Sequence, residues 1–382
     1  MTSRRTLVRI AVYATLGAIV IATWMRLKWT QSSAAPDSSA RVTETIDDVL
    51  AREVQHTSAK LVLSLGTPVY TLGLNPASDA EEFAGIKDGI LLPTGVAVIS
   101  DALKHRLVII SPSGDNVTVN GRAGEGPGEF RELLATFTDS IGRVYVLDNG
   151  LHRVSVFSLA AGELSYQHAY MMVGEPYTSC VFQEGFISLE YRPINQRLLH
   201  RINNNGKLIE SFLPPLVSGS HRLNDAVTKG RLICDSARGR ILVAAVTGDV
   251  MAVDATGKLL WRIGIPEYRP SEIVEIGSGV VRHTTAPAPE NRSNALGRFV
   301  LLNDSLAVIQ LLVFERWSDN GKDKVGQTAV DTRIIDIRNG AEVGRQLDLP
   351  EFLAISGNVA LITGDEPVPW IALHSFRVIP IP

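Results

Sequence analysis

One trio of reactive side chains occurs twice in this chain. Asp101, His105 and Arg106 stand at the same offsets from one another as Asp148, His152 and Arg153. A carboxylate, an imidazole and a guanidinium held together on a rim can move protons or steady developing charge on a substrate. The same groups can serve the fold, because Asp at a turn accepts hydrogen bonds from backbone amides and Arg ties neighbouring strands together. Repetition in successive segments suits a scaffold device better than a single active centre, so both trios read as structural.

Two insertions are better candidates for a functional surface. Residues 266–297 contain Arg282, His283, Glu290 and Arg292 around a run of alternating Ala and Pro, while residues 315–324 contain Trp317 among charged neighbours. Long loops on rigid scaffolds are where binding residues concentrate. Trp317 can anchor a contact, or it can cover its own hairpin. The two cysteines, Cys180 and Cys234, exclude a disulfide-rich scaffold and any multi-cysteine zinc or iron–sulfur site. They form either one disulfide, which needs Cα atoms within about 7 Å, or two buried thiols.

Familiar catalytic patterns are absent. The eight histidines lack metal-ligand spacing, and neither a Gly-x-Ser-x-Gly turn nor a His-Glu-x-x-His pair occurs. The glycine-rich stretch from Gly121 to Gly128 lacks the Gly-Lys-Ser/Thr ending of a phosphate cradle and reads as a connection between sheets, with Phe130 filling the gap behind it. With 37 basic against 40 acidic side chains the net charge is -3, which argues against a nucleic-acid partner. At 45% hydrophobic and 20% charged, the chain can build a sizeable packed core.

The elements that must position these residues are strands. From about residue 60 onward, short runs of Val, Ile and Leu alternate with Gly, Asn, Asp and Ser turns. Six runs align as central strands, starting at Val96, Val144, Phe186, Ile241, Leu306 and Val359, at spacings of 48, 42, 55, 65 and 53 residues. Five of the runs that follow end in glycine, at Gly114, Gly162, Gly206, Gly257 and Gly340, which supplies the positive backbone angle of a hairpin. This irregular period fits an all-β, six-bladed β-propeller with four-stranded blades over residues 60–382. An open array would expose an edge, so Pro68–Leu72 is expected to complete the last blade and close the ring.

On Gly121–Phe130, Arg143–Asp148 and His152–Phe157 the chain resembles the six-bladed propellers of the NHL-repeat-like group. The specific resemblance covers roughly 100 residues, while the general strand rhythm covers over 300. It implies a propeller face open to binding. Similar propellers also include metal-dependent lactonases and lyases, with carboxylate, Asn or His side chains around the central channel. Ligands drawn from different blades have no linear spacing, so that alternative stays open.

The N-terminus reads as a targeting segment. Arg4, Arg5 and Arg9 precede an uncharged run from Ile10 to Met25, followed by Arg26 and Lys28. With snorkelling charges and interfacial Tyr13, Trp24 and Trp29, residues 1–29 are expected to form a single-pass transmembrane signal-anchor that leaves the rest outside the cytoplasm. Cleavage near Ala35, giving a secreted protein, is the alternative. Residues 30–59 are expected to form a linker and a short amphipathic helix.

The sequence thus points to a membrane-tethered extracytoplasmic propeller that binds a protein, peptide or glycan. The alternative is an exported metal-dependent hydrolase or lyase, in which a divalent cation would polarise the substrate or activate water. Neither a catalytic residue nor a cofactor is legible.

Overall fold

The computed structural model describes residues 61–194, 197–214, 216, 223, 227–270, 272–276, 280–284, 292–319 and 322–381. The expected anchor at 1–29, the linker and helix at 30–59, and Glu290 lie outside the described residues. Among the described residues no helix is long and apolar enough to cross a membrane.

Six sheets of four antiparallel strands follow one another along the chain. Blade 1 comprises β2 (Ile86–Leu91), β3 (Ala97–Asp101), β4 (Arg106–Ile110) and β5 (Val117–Asn120). Blade 2 comprises β6 (Leu133–Thr138), β7 (Val144–Asp148), β8 (Arg153–Ala160) and β9 (Glu163–Met171). Blade 3 comprises β10 (Pro176–Phe182), β11 (Gly185–Ile194), β12 (Arg197–Asn203) and β13 (Leu208–Phe212). Blade 4 comprises β14 (Gly230–Asp235), β15 (Arg240–Ala245), β16 (Asp249–Asp254) and β17 (Leu259–Gly264). Blade 5 comprises β20 (Arg292–Leu301), β21 (Leu306–Asp319), β22 (Lys322–Asp336) and β23 (Glu342–Leu347). Blade 6 comprises β24 (Glu351–Ser356), β25 (Val359–Gly364), β26 (Trp370–Pro380) and, as its outer strand, β1 (Leu61–Leu72).

The ring closes as the edge argument requires. β1 pairs with β26 from Leu61 opposite Pro380 to Leu72 opposite Ile371. The first strand of each blade touches the first strand of the next, through β2, β6, β10, β14, β20, β24 and back to β2. These first strands therefore line a central channel.

The core is divided into wedges, one in each gap between blades. Phe130, fully buried, packs with Leu107 and Ile109 of blade 1 and with Val144, Val146 and Phe157 of blade 2. Comparable clusters join blades 2 and 3, 3 and 4, 4 and 5, 5 and 6, and 6 and 1. Second strands are covered on both faces, which is why they read as mainly apolar runs: all five residues of β3 and of β7 are buried. The hairpin glycine signal also has its cause, since the five glycines that end the third-strand segments have φ of 76° to 83°.

The insertion before blade 5 contains a seventh, two-stranded sheet, β18 (Glu272–Ile276) against β19 (Val280–Thr284). The insertion within blade 5 lengthens β21 and β22, which remain paired from Leu306 opposite Asp336 to Asp319 opposite Lys322. At 3.4 Å per residue, β21 runs about 24 Å from Leu312 to Asp319.

Candidate binding face

The antiparallel alternation places several features on one face. The start of each first strand lies beside the turn joining the second and third strands, as Ile86 opposite Asp101 shows in blade 1. On this face lie both Asp-His-Arg turns, the tip of the β21–β22 hairpin and one mouth of the channel.

The two Asp-His-Arg turns are built alike. Asp101 Oδ1 accepts the backbone amides of Ala84 and Gly85, while Asp148 accepts those of Arg131, Glu132 and Leu151. His105 and His152 both hold a left-handed backbone, with φ of 51° and 48°, a region that His enters more readily than most residues. Arg106 donates to the carbonyls of Asp79 and Glu82, and Arg153 to those of Glu125, Gly126 and Glu129. Each trio thus fastens the connection that enters its own blade.

Blade 3 has a carboxylate at the equivalent place without the arginine. Glu190 stands opposite Pro176 as Asp101 stands opposite Ile86. It is 1% exposed, accepts a 2.7 Å hydrogen bond from the Ser188 hydroxyl, and leaves Oε2 buried without a described partner. Burial pushes its pKa up to about 7, opposed by the Ser188 bond and reinforced by the charge of Glu175.

The channel has a volume of about 310 Å³ and is lined by all six first strands. Its mouth on this face is charged. Arg298 lies with Nη1 3.8 Å from Asp88 and Nε 3.4 Å from Glu351, so one side chain from blade 5 links blades 6 and 1. Asp88 also accepts the Thr136 amide at 2.8 Å, tying blade 1 to blade 2. Arg231 Nε donates to the Gly297 carbonyl at 2.8 Å, tying blade 4 to blade 5. Loss of water lowers the pKa of Lys87, and repulsion from Arg231 lowers it further, against the pull of Asp88. Burial and then Arg231 likewise lower that of Arg298. Farther along the channel, Cys180 of β10 and Cys234 of β14 are joined as a disulfide with Cα atoms 5.7 Å apart, stapling blades 3 and 4.

A second cavity of about 710 Å³ opens between the long hairpin and blade 6. Gly326–Val330 form one wall, and Asp348–Glu351, Thr363–Glu366 and Trp370 form the other. Asp348, Asp365 and Glu366 are exposed, and none has an ion-pair partner among the described residues. Trp317 lies against Gly326, where an added Cβ would meet its ring at 2.8 Å, so this side chain both covers its hairpin and edges the groove. Trp317, Val325, Leu347 and Val368 supply exposed apolar surface along these elements, at 44%, 51%, 51% and 42% exposure.

The predicted surface residues are only partly brought together. Arg292 stands opposite Glu315 on the blade 5 extension that also carries Trp317, whereas Arg282 and His283 belong to β19 in the separate sheet. The charged mouth was missed by sequence reasoning. Its only linear signal is a charge set at the head of an apolar run, as in Lys87-Asp88-Gly-Ile-Leu, Arg231-Leu-Ile and Arg298-Phe-Val-Leu. A divalent cation requires several converging oxygen or nitrogen donors. Among the described residues no three His, Cys, Asp or Glu side chains converge to hold one, and the mouth's carboxylates share their space with three cationic side chains. This arrangement does not fit a metal ion.

No protein-family model matches the chain. The mouse protein described as NHL repeat-containing protein 3 is 28% identical over 218 residues, covering 53% of this chain and 59% of that protein. Its human namesake is 28% identical over 197 residues, covering 49% and 53%. The chain therefore spans between half and three fifths of the length of these curated relatives. A member of the DUF4221 family from Bacteroides vulgatus superposes with a TM-score of 0.57 at 9% identity, covering 85% of this chain and all of that one. A Bacteroides fragilis protein described as exported superposes with a TM-score of 0.52 at 10% identity, covering 86% and 99%. Such distant likeness speaks for the fold alone. Six four-stranded blades and the matched segments together make this chain a six-bladed β-propeller similar to the NHL repeat-containing proteins.

Proposed function

We propose that the protein is a membrane-tethered, extracytoplasmic interaction propeller that holds an extended, basic and partly apolar peptide segment of a protein partner. The groove between the blade 5 hairpin and blade 6 carries this reading, because Asp348, Asp365 and Glu366 line it with no ion pair among the described residues, and exposed Trp317, Leu347 and Val368 lie on the elements that border it. Carboxylates select cationic side chains, and the apolar surface gives alternate residues of an extended segment somewhere to pack. The basic-flanked apolar leader supports tethering. The Cys180–Cys234 disulfide supports an oxidising compartment.

The test is fluorescence anisotropy of a labelled peptide alternating Lys and Leu, titrated with the full chain. Binding should weaken about tenfold in the Asp348→Asn, Asp365→Asn, Glu366→Gln triple variant and should fall with added salt. Equal affinity for the triple variant, or for a peptide alternating Glu and Leu, would refute the assignment.

A further inference from the structure

The disulfide between blades 3 and 4 stands in the wall of the central channel. Cys180 and Cys234 both line it, and both are only half-buried. Outward from the bridge the seam is closed by Ile187, Leu189, Ile241 and Val243, each at most 2% exposed, so the surface left to the two cysteines opens inward. Cys180 is the fifth of seven residues in β10 and Cys234 the fifth of six in β14, which sets the bridge toward the mouth opposite the candidate binding face. Arg231 of the charged mouth is three residues away along β14, about 10 Å at 3.4 Å per residue. At the level of the bridge the lining comes instead from Leu91, Thr138, Leu301 and Ile355, at or next to the ends of four other first strands. None of these ionises. A channel of about 310 Å³ admits a small molecule and excludes a folded protein. Beside the bridge, the Ser236 hydroxyl donates to the Val181 carbonyl at 3.2 Å and Arg201 donates to the Ala255 carbonyl, both across the same seam.

We propose that Cys180–Cys234 is a reversible redox site served through the channel by small-molecule thiols, and that its reduction loosens the seam between blades 3 and 4 while the ring stays closed elsewhere. The reductant's thiolate attacks one sulfur of the bridge, a mixed disulfide forms, and the other cysteine leaves as a thiolate that takes up a proton. A second thiol then attacks the reductant's sulfur in that mixed disulfide. Two small thiols depart joined as one disulfide, and Cys180 and Cys234 hold the two electrons and two protons. Re-oxidation runs the same exchange backwards with a small disulfide as oxidant. The apolar cluster and the two hydrogen bonds remain across the seam after reduction. The pairing of β1 with β26, the Thr136 amide on Asp88 and the Phe352 amide on Gln310 lie at other seams and are untouched.

The test treats the full chain in native buffer with 2-mercaptoethanol, or with reduced thioredoxin at the same thiol concentration, and counts free cysteines by alkylation and mass. Both cysteines should become free at a rate proportional to 2-mercaptoethanol concentration and unchanged by urea below the unfolding transition, because access needs no opening of the fold. Thioredoxin carries its thiols on a folded domain and should act at least tenfold more slowly. In the reduced protein, amide hydrogen exchange should quicken in β10 and β14 and stay as it was in β3 and β25. Hydroxyethyl disulfide should then restore both the bridge and the original exchange. Channel access is overturned by a bridge that resists 2-mercaptoethanol, by a rate that urea accelerates, or by thioredoxin acting as fast. The loosening is overturned by exchange that does not change or that rises equally in all blades, and reversibility by a bridge that does not re-form.

Discussion

Replacing Glu190 by Gln should remove a pH-dependent burden from the folded state. Glu190 is buried with one carboxylate oxygen unpartnered, and its pKa stands at about 7 against an ordinary 4.5. Below the ordinary value the carboxyl is protonated in folded and unfolded chains alike and imposes no penalty. As pH rises from there toward 7, the unfolded chain releases its proton while the folded chain retains it, so the folded state loses stability. The loss is complete above the folded value and amounts to about 3 kcal/mol at roughly 1.4 kcal/mol per pH unit. Glutamine has no charge to bury, although its amide adds a constant offset of its own. Urea unfolding of both proteins should therefore be compared at several pH values, reading the change in the difference rather than either absolute stability. That difference should move in favour of Glu190→Gln by about 3 kcal/mol between pH 4.5 and pH 8, most of it before neutrality. A flat difference across this range would refute the assignment of a buried, proton-retaining carboxyl.

Three further outcomes follow from packing and connectivity. Replacing Cys180 and Cys234 by Ser frees a loop with a sequence separation of 54 and should cost about 4 kcal/mol of stability by denaturant titration, with no effect of reductant on the variant. Phe130→Ala should cost about 3 to 5 kcal/mol by the same measurement, because the ring is 0% exposed and fills the wedge between blades 1 and 2. Removing residues 1–29 should shift the protein from the membrane to the soluble fraction on cell fractionation, and persistence in the membrane would count against the proposed anchor.

The blades were legible because burial on both faces leaves a strong mark. Second strands such as Val144–Asp148 are apolar but for the carboxylate that closes them, and hairpins such as the one at Gly114 need a residue free to adopt positive φ. The closing role of Pro68–Leu72 followed from the cost of an unpaired edge, although β1 proved longer, starting at Leu61. The channel mouth was hidden for a topological reason. Lys87, Arg231 and Arg298 are separated by more than 60 residues at each step and come near one another only because each stands on a first strand of the ring. The groove was half visible, since Trp317 and its hairpin stood out, while no linear pattern marks Asp348, Asp365 and Glu366, which face Gly326–Val330 only through the fold of blade 6. The pairing of Cys180 with Cys234 depended on a through-space distance that linear spacing does not contain.

Closure by β1 also imposes a timetable on biosynthesis. This strand leaves the ribosome before any other described strand, yet the partner that satisfies its backbone ends at Pro380. At about 5 to 20 residues per second, the wait lasts roughly 15 to 60 seconds. Throughout that interval the nascent chain carries an apolar ribbon with an unsatisfied edge, and a second chain translated nearby could capture it. Holding the leading segment apart from its siblings until the final hairpin appears is therefore a task for whatever machinery escorts the polypeptide, and a prematurely terminated product would have no ring to complete.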